Sequence, residues 1–362
     1  MFLLIGFCSF ITATSSNKLL SAVVIHRHGD RNPFTTYKTD PYKDESNWPE
    51  GFGQLTKIGI QRQYDLGVWL RNRYDTLLPS RYHPKNVKAT STDVDRTLMS
   101  AEVTLAGLFP PSEADKFNEN INWQPIPIHT TPPKDDALLA MKKFCKKYQQ
   151  LFDDLLNSDH VKEINEMNKE LYDFLSEKTG ENITHVYDVE EIYNTLNTHY
   201  LANRTLPQWA WEVYPDNLMM KAAVSLRFKL PCYNRELAHL KTGLLFGEIV
   251  KLFQDFVDEL WKSPKLLLFS GHDSTLADVL TTMGTFNDEV PSYSSAILLE
   301  LYQNDGDHYV NILFKNSTGV YNLTLEGCDF NCDFANFTRF FEPIVQPNQT
   351  QWEKECENVS FI

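Results

Sequence analysis

The stretch Ile25-His26-Arg27-His28-Gly29-Asp30-Arg31-Asn32-Pro33 decides how the rest of the chain is read. An apolar run over residues 19–25 leads into it and predicts a buried strand. Gly29, Asp30, Asn32 and Pro33 are turn formers that break this run into a loop. One imidazole, His28, therefore stands between two guanidinium groups at a strand end. A neutral imidazole can act as a nucleophile, and arginine stays charged, with a fork that fits phosphate oxygens two at a time. These residue types suit a phosphate group attacked by histidine.

Two further segments repeat the order strand, polar loop, helix. A short strand over 86–90 gives way to Ser91-Thr92-Asp93-Val94-Asp95-Arg96-Thr97, followed by a helix over about 97–108 with Leu98, Ala101, Leu105 and Leu108 on one side. Ser91, Thr92 and Asp93 are expected to supply its N-cap. Arg96 falls in the first turn, where the helix dipole disfavours a cation, so it points to an anionic partner, with a surface salt bridge to Asp93 or Asp95 as the alternative. The apolar run 265–270 stops at Gly271-His272-Asp273-Ser274-Thr275, ahead of a helix over about 276–283. In open α/β sheets ligands gather at the carboxyl ends of strands. The loops carrying Arg27, His28, Arg31, Arg96, His272 and Asp273 would then face one crevice.

The remaining segments fit around this frame. Residues 47–56 feed a helix whose buried face should hold Leu55, Ile58, Leu66, Trp69 and Leu70, with Gly51 and Gly53 read as a turn. Prolines 125, 127, 132 and 133 mark a linker. The charged, helical pattern of 134–235 then predicts an inserted helical lobe. Runs over 296–302 and 308–314 flank Asn304-Asp305-Gly306-Asp307, a hairpin signal that should add edge strands. The expected fold is α/β: a mixed, mainly parallel sheet flanked by helices, built from 17–133 and 236–362, with 134–235 as a smaller helical lobe.

At 362 residues the chain is longer than one compact core usually organises. A net charge of −14 argues against nucleic acid as a partner, since phosphates would be repelled unless basic residues clustered. Residues 1–11 are almost wholly apolar and 12–16 are small, which predicts a signal peptide over 1–16 and a secreted, extracellular protein. No later stretch reads as a membrane anchor. Sequons at Asn182, Asn203, Asn316, Asn322, Asn336, Asn348 and Asn358 fit a glycoprotein. Cys8 would leave with the signal, and the five remaining cysteines force one free or intermolecular thiol. Cys328 and Cys332 are close enough to pair locally, and they lack the second Cys/His pair that zinc requires.

The joint occurrence of R-H-G-D-R, S-T-D-V-D-R-T and S-G-H-D-S, in this order, resembles the histidine acid phosphatases, branch 2 of the histidine phosphatase superfamily. Trp48-Pro49-Glu50-Gly51-Phe52-Gly53-Gln54-Leu55-Thr56, Trp123-Gln124-Pro125-Ile126, Leu206-Pro207-Gln208-Trp209 and Gly327-Cys328 extend the resemblance over the mature chain. It implies hydrolysis of small phosphomonoesters, with phosphoproteins as a further candidate class, through a phosphohistidine and with no cofactor. By the match, His28 is the nucleophile and Asp273 the leaving-group acid. Arg27, Arg31, Arg96 and a charged His272 hold the phosphoryl group, and the arginines keep His28 neutral. The resemblance favours a Cys145–Cys356 disulfide, which leaves Cys232 free, and a monomer or homodimer. Tyr293-Ser294-Ser295 looks closest to secreted insect, venom- or salivary-type members, and is similar to prostatic and lysosomal ones. The extra disulfide of mammalian secreted members, aligned near Tyr193 and Ser295, has no cysteines here.

His26-x-His28 has the spacing of a metal pair, but three nearby arginines would repel a divalent cation, so no metal is expected. Asp30 is assigned to holding the turn rather than orienting the arginines. Two alternatives stand beside the main reading. Phytases and inositol-polyphosphate phosphatases share the opening motif on longer, more cysteine-rich chains. A catalytically inactive secreted binding or venom protein could use the same scaffold, against which the intact His28, Arg96, His272 and Asp273 weigh.

Overall fold

A computed structural model describes residues 17–358; the expected signal peptide lies outside them. The first strand, β1 (Lys18–Arg27), is followed by α1 (Lys57–Arg73), β2 (Val87–Ser91), α2 (Asp95–Leu108) and the two-residue β3 (Ile128–His129). A helical run comes next: α3 (Lys146–Leu156), α4 (Asp159–Met167), α5 (Lys169–Thr179), α6 (Val186–Leu201) and α7 (Leu218–Lys229). The long α8 (Arg235–Val257) leads back to β4 (Leu266–Gly271) and α9 (Asp273–Thr282). The chain ends with β5 (Ala296–Asn304), β6 (Asp307–Lys315), β7 (Val320–Leu323), β8 (Cys332–Asp333), α10 (Phe334–Phe341) and α11 (Gln349–Glu357).

The strands form one mixed sheet in the order β3-β2-β4-β1-β5-β6-β7, with β8 paired to β6. Strands β1, β2, β3 and β4 run parallel, while β5, β6, β7 and β8 join antiparallel. The 296–314 hairpin therefore does not sit at the edge: β5 pairs directly with β1, and β7 lies outside β6. A strand buried on both faces has no polar side to advertise its neighbours, so the pairing of β5 with β1 was not readable from its pattern.

Period-two alternation divides β1 between two cores. Val23 and Ile25 pack with Leu267, Phe269 and the inner faces of α8, α9 and α10. Ala22 and Val24 pack with Leu266, Leu268 and residues of α1 and α2 on the opposite face. A third cluster, drawn mostly from α4 to α7, includes Tyr37 from the loop after β1 and Ala277 from α9. Those two residues tie the helical run to the strand-end loops.

Two local expectations change. Residue Ile58 of α1 is exposed, and the buried row is Gly59, Gln63, Leu66, Gly67 and Leu70. Helix α2 starts after Val94, with no side-chain cap; Ser91 and Thr92 bond elsewhere. The hydroxyl of Thr97, inside the helix, donates to backbone oxygens of Thr92 and Val94 and takes over the task of closing that turn.

Disulfides join Cys145 to Cys356 and Cys328 to Cys332, and Cys232 is a buried free thiol. The first ties the N-cap residue of α3 to α11 across 211 residues. Closing so long a loop removes much of the unfolded chain's freedom. Replacing both cysteines with alanine is expected to lower unfolding free energy by about 4 kcal/mol, read as a fall in the denaturant midpoint with a steeper slope, since the uncrosslinked chain unfolds further.

Candidate active site

Parallel pairing places the ends of three strands side by side. In register, Arg27 lies opposite Gly271, and Ser91 and His26 both lie opposite Ser270. The residue after each strand end then enters one crevice: His28 after β1, Thr92 after β2, and His272 after β4. The His28 N–H donates to the Gly271 carbonyl at 3.0 Å, which locks two of these ends together.

The turn at Gly29 rests on α1 at a distance only glycine permits. A Cβ on Gly29 would lie 2.4 Å from the Gly59 carbonyl oxygen, and one on Gly59 would lie 2.2 Å from that of Asp30. The Gly29 N–H donates to Ser100 Oγ at 3.1 Å, and the Thr56 N–H donates to the Asp30 carbonyl. Asp30 itself pairs with Arg62 of α1 at 2.9 Å and, among the described residues, forms no ion pair with Arg27, Arg31 or Arg96. Its role is to hold the loop.

His28 is buried, and its Nδ1–H donates to the Gly29 carbonyl at 2.8 Å. A carbonyl can only accept, so the proton sits on Nδ1 and the lone pair on Nε2. Burial, followed by Arg27, Arg96, His272 and Arg31, pushes the imidazole well below its ordinary pKa. Burial thus outranks the arginines expected to do this work.

Arg27 is fixed on three sides. Its guanidinium pairs with Asp273 at 2.6 Å, donates to the Pro291 carbonyl at 2.6 Å, and lies 4.0 Å from the centre of the Tyr293 ring. Arg31 donates to the Asn32 carbonyl. The Nε atoms of Arg31 and Arg96 are buried, with no hydrogen-bond partner among the described residues. Burial and then Arg31 lower the pKa of Arg96 to about 10. Among the described residues, Asp273 is the only carboxylate ion-paired with any of the three arginines. The centre therefore carries excess buried positive charge.

His272 is the N-cap residue of α9, and its Nε2 lies 3.0 Å from Thr92 Oγ1. Its ring stands 5.6 Å from that of His28. Burial and then Arg96 hold it down to about 3, against the pull of Asp273. The expected imidazolium is thus a neutral ring, because desolvating one more cation beside Arg96 is too costly. Burial pushes Asp273 up, but Arg27, Arg31 and His272 together outweigh it and bring the carboxyl to about 2.

All six residues expected at the site are brought together. His26 is not part of it: the ring is fully buried on β1 beside Gln63, and burial lowers it to about 4. Tyr293 and Gln63 were missed as site residues. Gln63 donates to the Arg27 carbonyl at 2.8 Å and to Ser294 Oγ at 3.1 Å. A signal for it existed, since a glutamine four residues after Gly59 interrupts the buried row of α1. Helix α6 adds Glu190, which burial pushes up and Arg227 counters, and which feels both Asp273 and Arg31.

A buried imidazole facing crowded guanidinium groups at the carboxyl edge of a mixed sheet defines an α/β protein with a crevice lined by histidine and arginine. The model of the histidine phosphatase superfamily (branch 2) matches residues 18–315, and the chain belongs to that family. It is 38% identical over 352 residues to the lysosomal acid phosphatase of Homo sapiens, covering 96% of this chain and 82% of that one. It is 35% identical over 350 residues to the prostatic acid phosphatase of Rattus norvegicus, covering 95% and 91%. The solved phytase of Citrobacter braakii superimposes with a TM-score of 0.68 over 94% of this chain and 99% of its own, at 17% identity, a likeness of fold alone.

The Gly29–Gly59 contact is testable. Gly59→Ala places a methyl against the Asp30 backbone and should destabilise by about 1–3 kcal/mol through overpacking. Thermal melts would show the loss. A variant as stable as wild type would mean that the loop has room to shift.

Proposed function

We propose that this chain is an acid phosphatase that hydrolyses phosphate monoesters through a phosphohistidine on His28 at mildly acidic pH. One observation carries the reading: the His28 Nδ1–H is committed to the Gly29 carbonyl, which leaves Nε2 as a nucleophile inside the arginine cluster. Arg27, Arg31 and Arg96 would clamp the equatorial oxygens and stabilise the charge that spreads over them in transfer. His272 would add a donor to the same group by turning its Nε2–H from Thr92 Oγ1 to a phosphate oxygen.

In the first step Nε2 forms a bond to phosphorus as the ester P–O bond breaks. The departing oxygen takes a proton from Asp273. In the second step water attacks phosphorus, gives its proton back to the Asp273 carboxylate, and the P–N bond breaks to release phosphate and His28. With the carboxyl of Asp273 at about 2, it is ionised before substrate binds. The proton it donates would therefore enter with a monoanionic ester, whose second ionisation lies at about pH 6. Binding would also draw Arg27 from Asp273 onto the phosphate, removing the partner that keeps the carboxyl acidic.

The relatives and the two disulfides support passage through the secretory pathway. Among the described residues no helix is long and apolar enough to cross a membrane. Of the seven sequon asparagines, Asn316 is half-buried and the others are exposed, which supports glycosylation. We take residues 134–235 as a lobe roofing the crevice, a placement supported by the effect of Glu190 on Asp273.

Rapid quench with labelled substrate should trap acid-labile, base-stable phosphate on the peptide containing His28, and His28→Ala should abolish it. Trapping on another residue would overturn the reading. Asp273→Asn should lose about 10²-fold more rate on alkyl phosphates than on nitrophenyl phosphate, whose leaving group needs little protonation. Wild-type kcat/KM should fall above about pH 6 as the ester loses its proton. No acid limb should appear near 6.5, because His28 is already neutral there.

A further inference from the structure

Phe34 ends the loop that carries Arg31, and its side chain is 64% exposed. Scattered exposed aromatics are ordinary on protein surfaces; the place of this one is not. Its ring centre lies 5.8 Å from the guanidinium carbon of Arg96, a group assigned to hold the phosphate. Gly53 sits between them, so that a Cβ there would meet Phe34 Cδ2 at 3.6 Å and Arg96 Nη1 at 3.7 Å. The inner edge of Arg96 is buried, and Phe34 occupies ground beside it that opens to solvent.

The ring is carried on a rigid backbone. Pro33 precedes it, and the Pro33 carbonyl accepts from the Gly53 N–H at 2.8 Å. The Asn32 N–H donates to the Gln54 carbonyl at 2.9 Å, and Arg31 bridges to Leu55. Two chain segments thus hold the ring beside the anion site, with Arg96 over one face and most of the rest open to solvent. Aromatic pairs favour centre separations of about 4.5–7 Å, within reach of a ring esterified to a phosphate on Arg96.

We propose that Phe34 is a specificity residue that stacks on the leaving group of aryl phosphate monoesters, phosphotyrosyl side chains included. The proposal rests on the phosphatase reading and names the substrate class that reading leaves open. An alkyl leaving group with hydroxyls, such as glycerol, gains little from the ring face, whereas a phenyl group buries one of its own faces there.

The test compares wild type with Phe34→Ala, Phe34→Leu and Phe34→Trp on phenyl phosphate and glycerol 2-phosphate. Differences in leaving-group chemistry cancel when each variant is referred to wild type on the same substrate. Phe34→Ala should lower kcat/KM for phenyl phosphate about tenfold, chiefly through KM, and change that for glycerol 2-phosphate less than twofold. Phe34→Trp should preserve the aryl preference, and Phe34→Leu should lose part of it. Equal losses on both substrates would overturn the proposal and make Phe34 a support for Arg96. Unchanged rates on both would overturn it as well. Wild type inactive on both substrates would instead overturn the phosphatase reading. Melting temperatures of the variants should match wild type, since the ring is exposed.

Discussion

Mutual repulsion among Arg27, Arg31 and Arg96 governs this molecule. Like charges brought together away from water repel more strongly than at the surface, and each also loses solvation. The fold offers Asp273 as direct relief, on Arg27 alone. What remains is a standing excess of positive charge that a phosphate would neutralise. The same charge helps hold His28 and His272 neutral and drives the Asp273 carboxyl down. Burial and this charge together thus set the protonation states of His28, His272 and Asp273.

Keeping such a cluster together requires a rigid mount, and α1 supplies much of it. One face of this helix presents Gly59 to the turn at Gly29, Arg62 to Asp30, and Gln63 to the Arg27 carbonyl. These three residues of the helix engage the chain from Arg27 to Asp30. The parallel pairing of β1 with β4 sets the height of His28 against His272, and the Pro291 carbonyl and Tyr293 ring close around Arg27 from the segment before β5.

Away from the centre, buried titrating groups oppose one another in mild acid. His26 and His199 are held at about 4 by burial, so they favour the folded state above 6.5 and lose that contribution as pH falls toward 4. Asp278 is raised to about 6 by burial. It therefore favours the folded state below its unfolded value of about 3.9 and loses that contribution as pH rises through 6. The two slopes have opposite sign over the same window, which flattens the pH dependence of stability where the proposed chemistry runs.

Much was legible in the chain itself. Apolar runs ending in glycine and polar residues identified β1 and β4, because a buried strand needs an unbroken apolar stretch and a turn needs particular backbone freedom, while the polar run from Ser91 to Thr97 marked the end of β2. The order of the three polar loops was enough to nominate Arg27, His28, Arg31, Arg96, His272 and Asp273, since so few side chains can bind and attack a phosphate. What the chain could not express was distance. Tyr293 lies 265 residues from His28 in sequence yet 5.7 Å from it in space; the pairing of β5 with β1 put it there. The Arg27–Asp273 pair, the neutral state of His272 and the inward turn of Gln63 likewise depend on burial and neighbours. Charge state and contact are properties of the packed environment, and only the tertiary structure decided them.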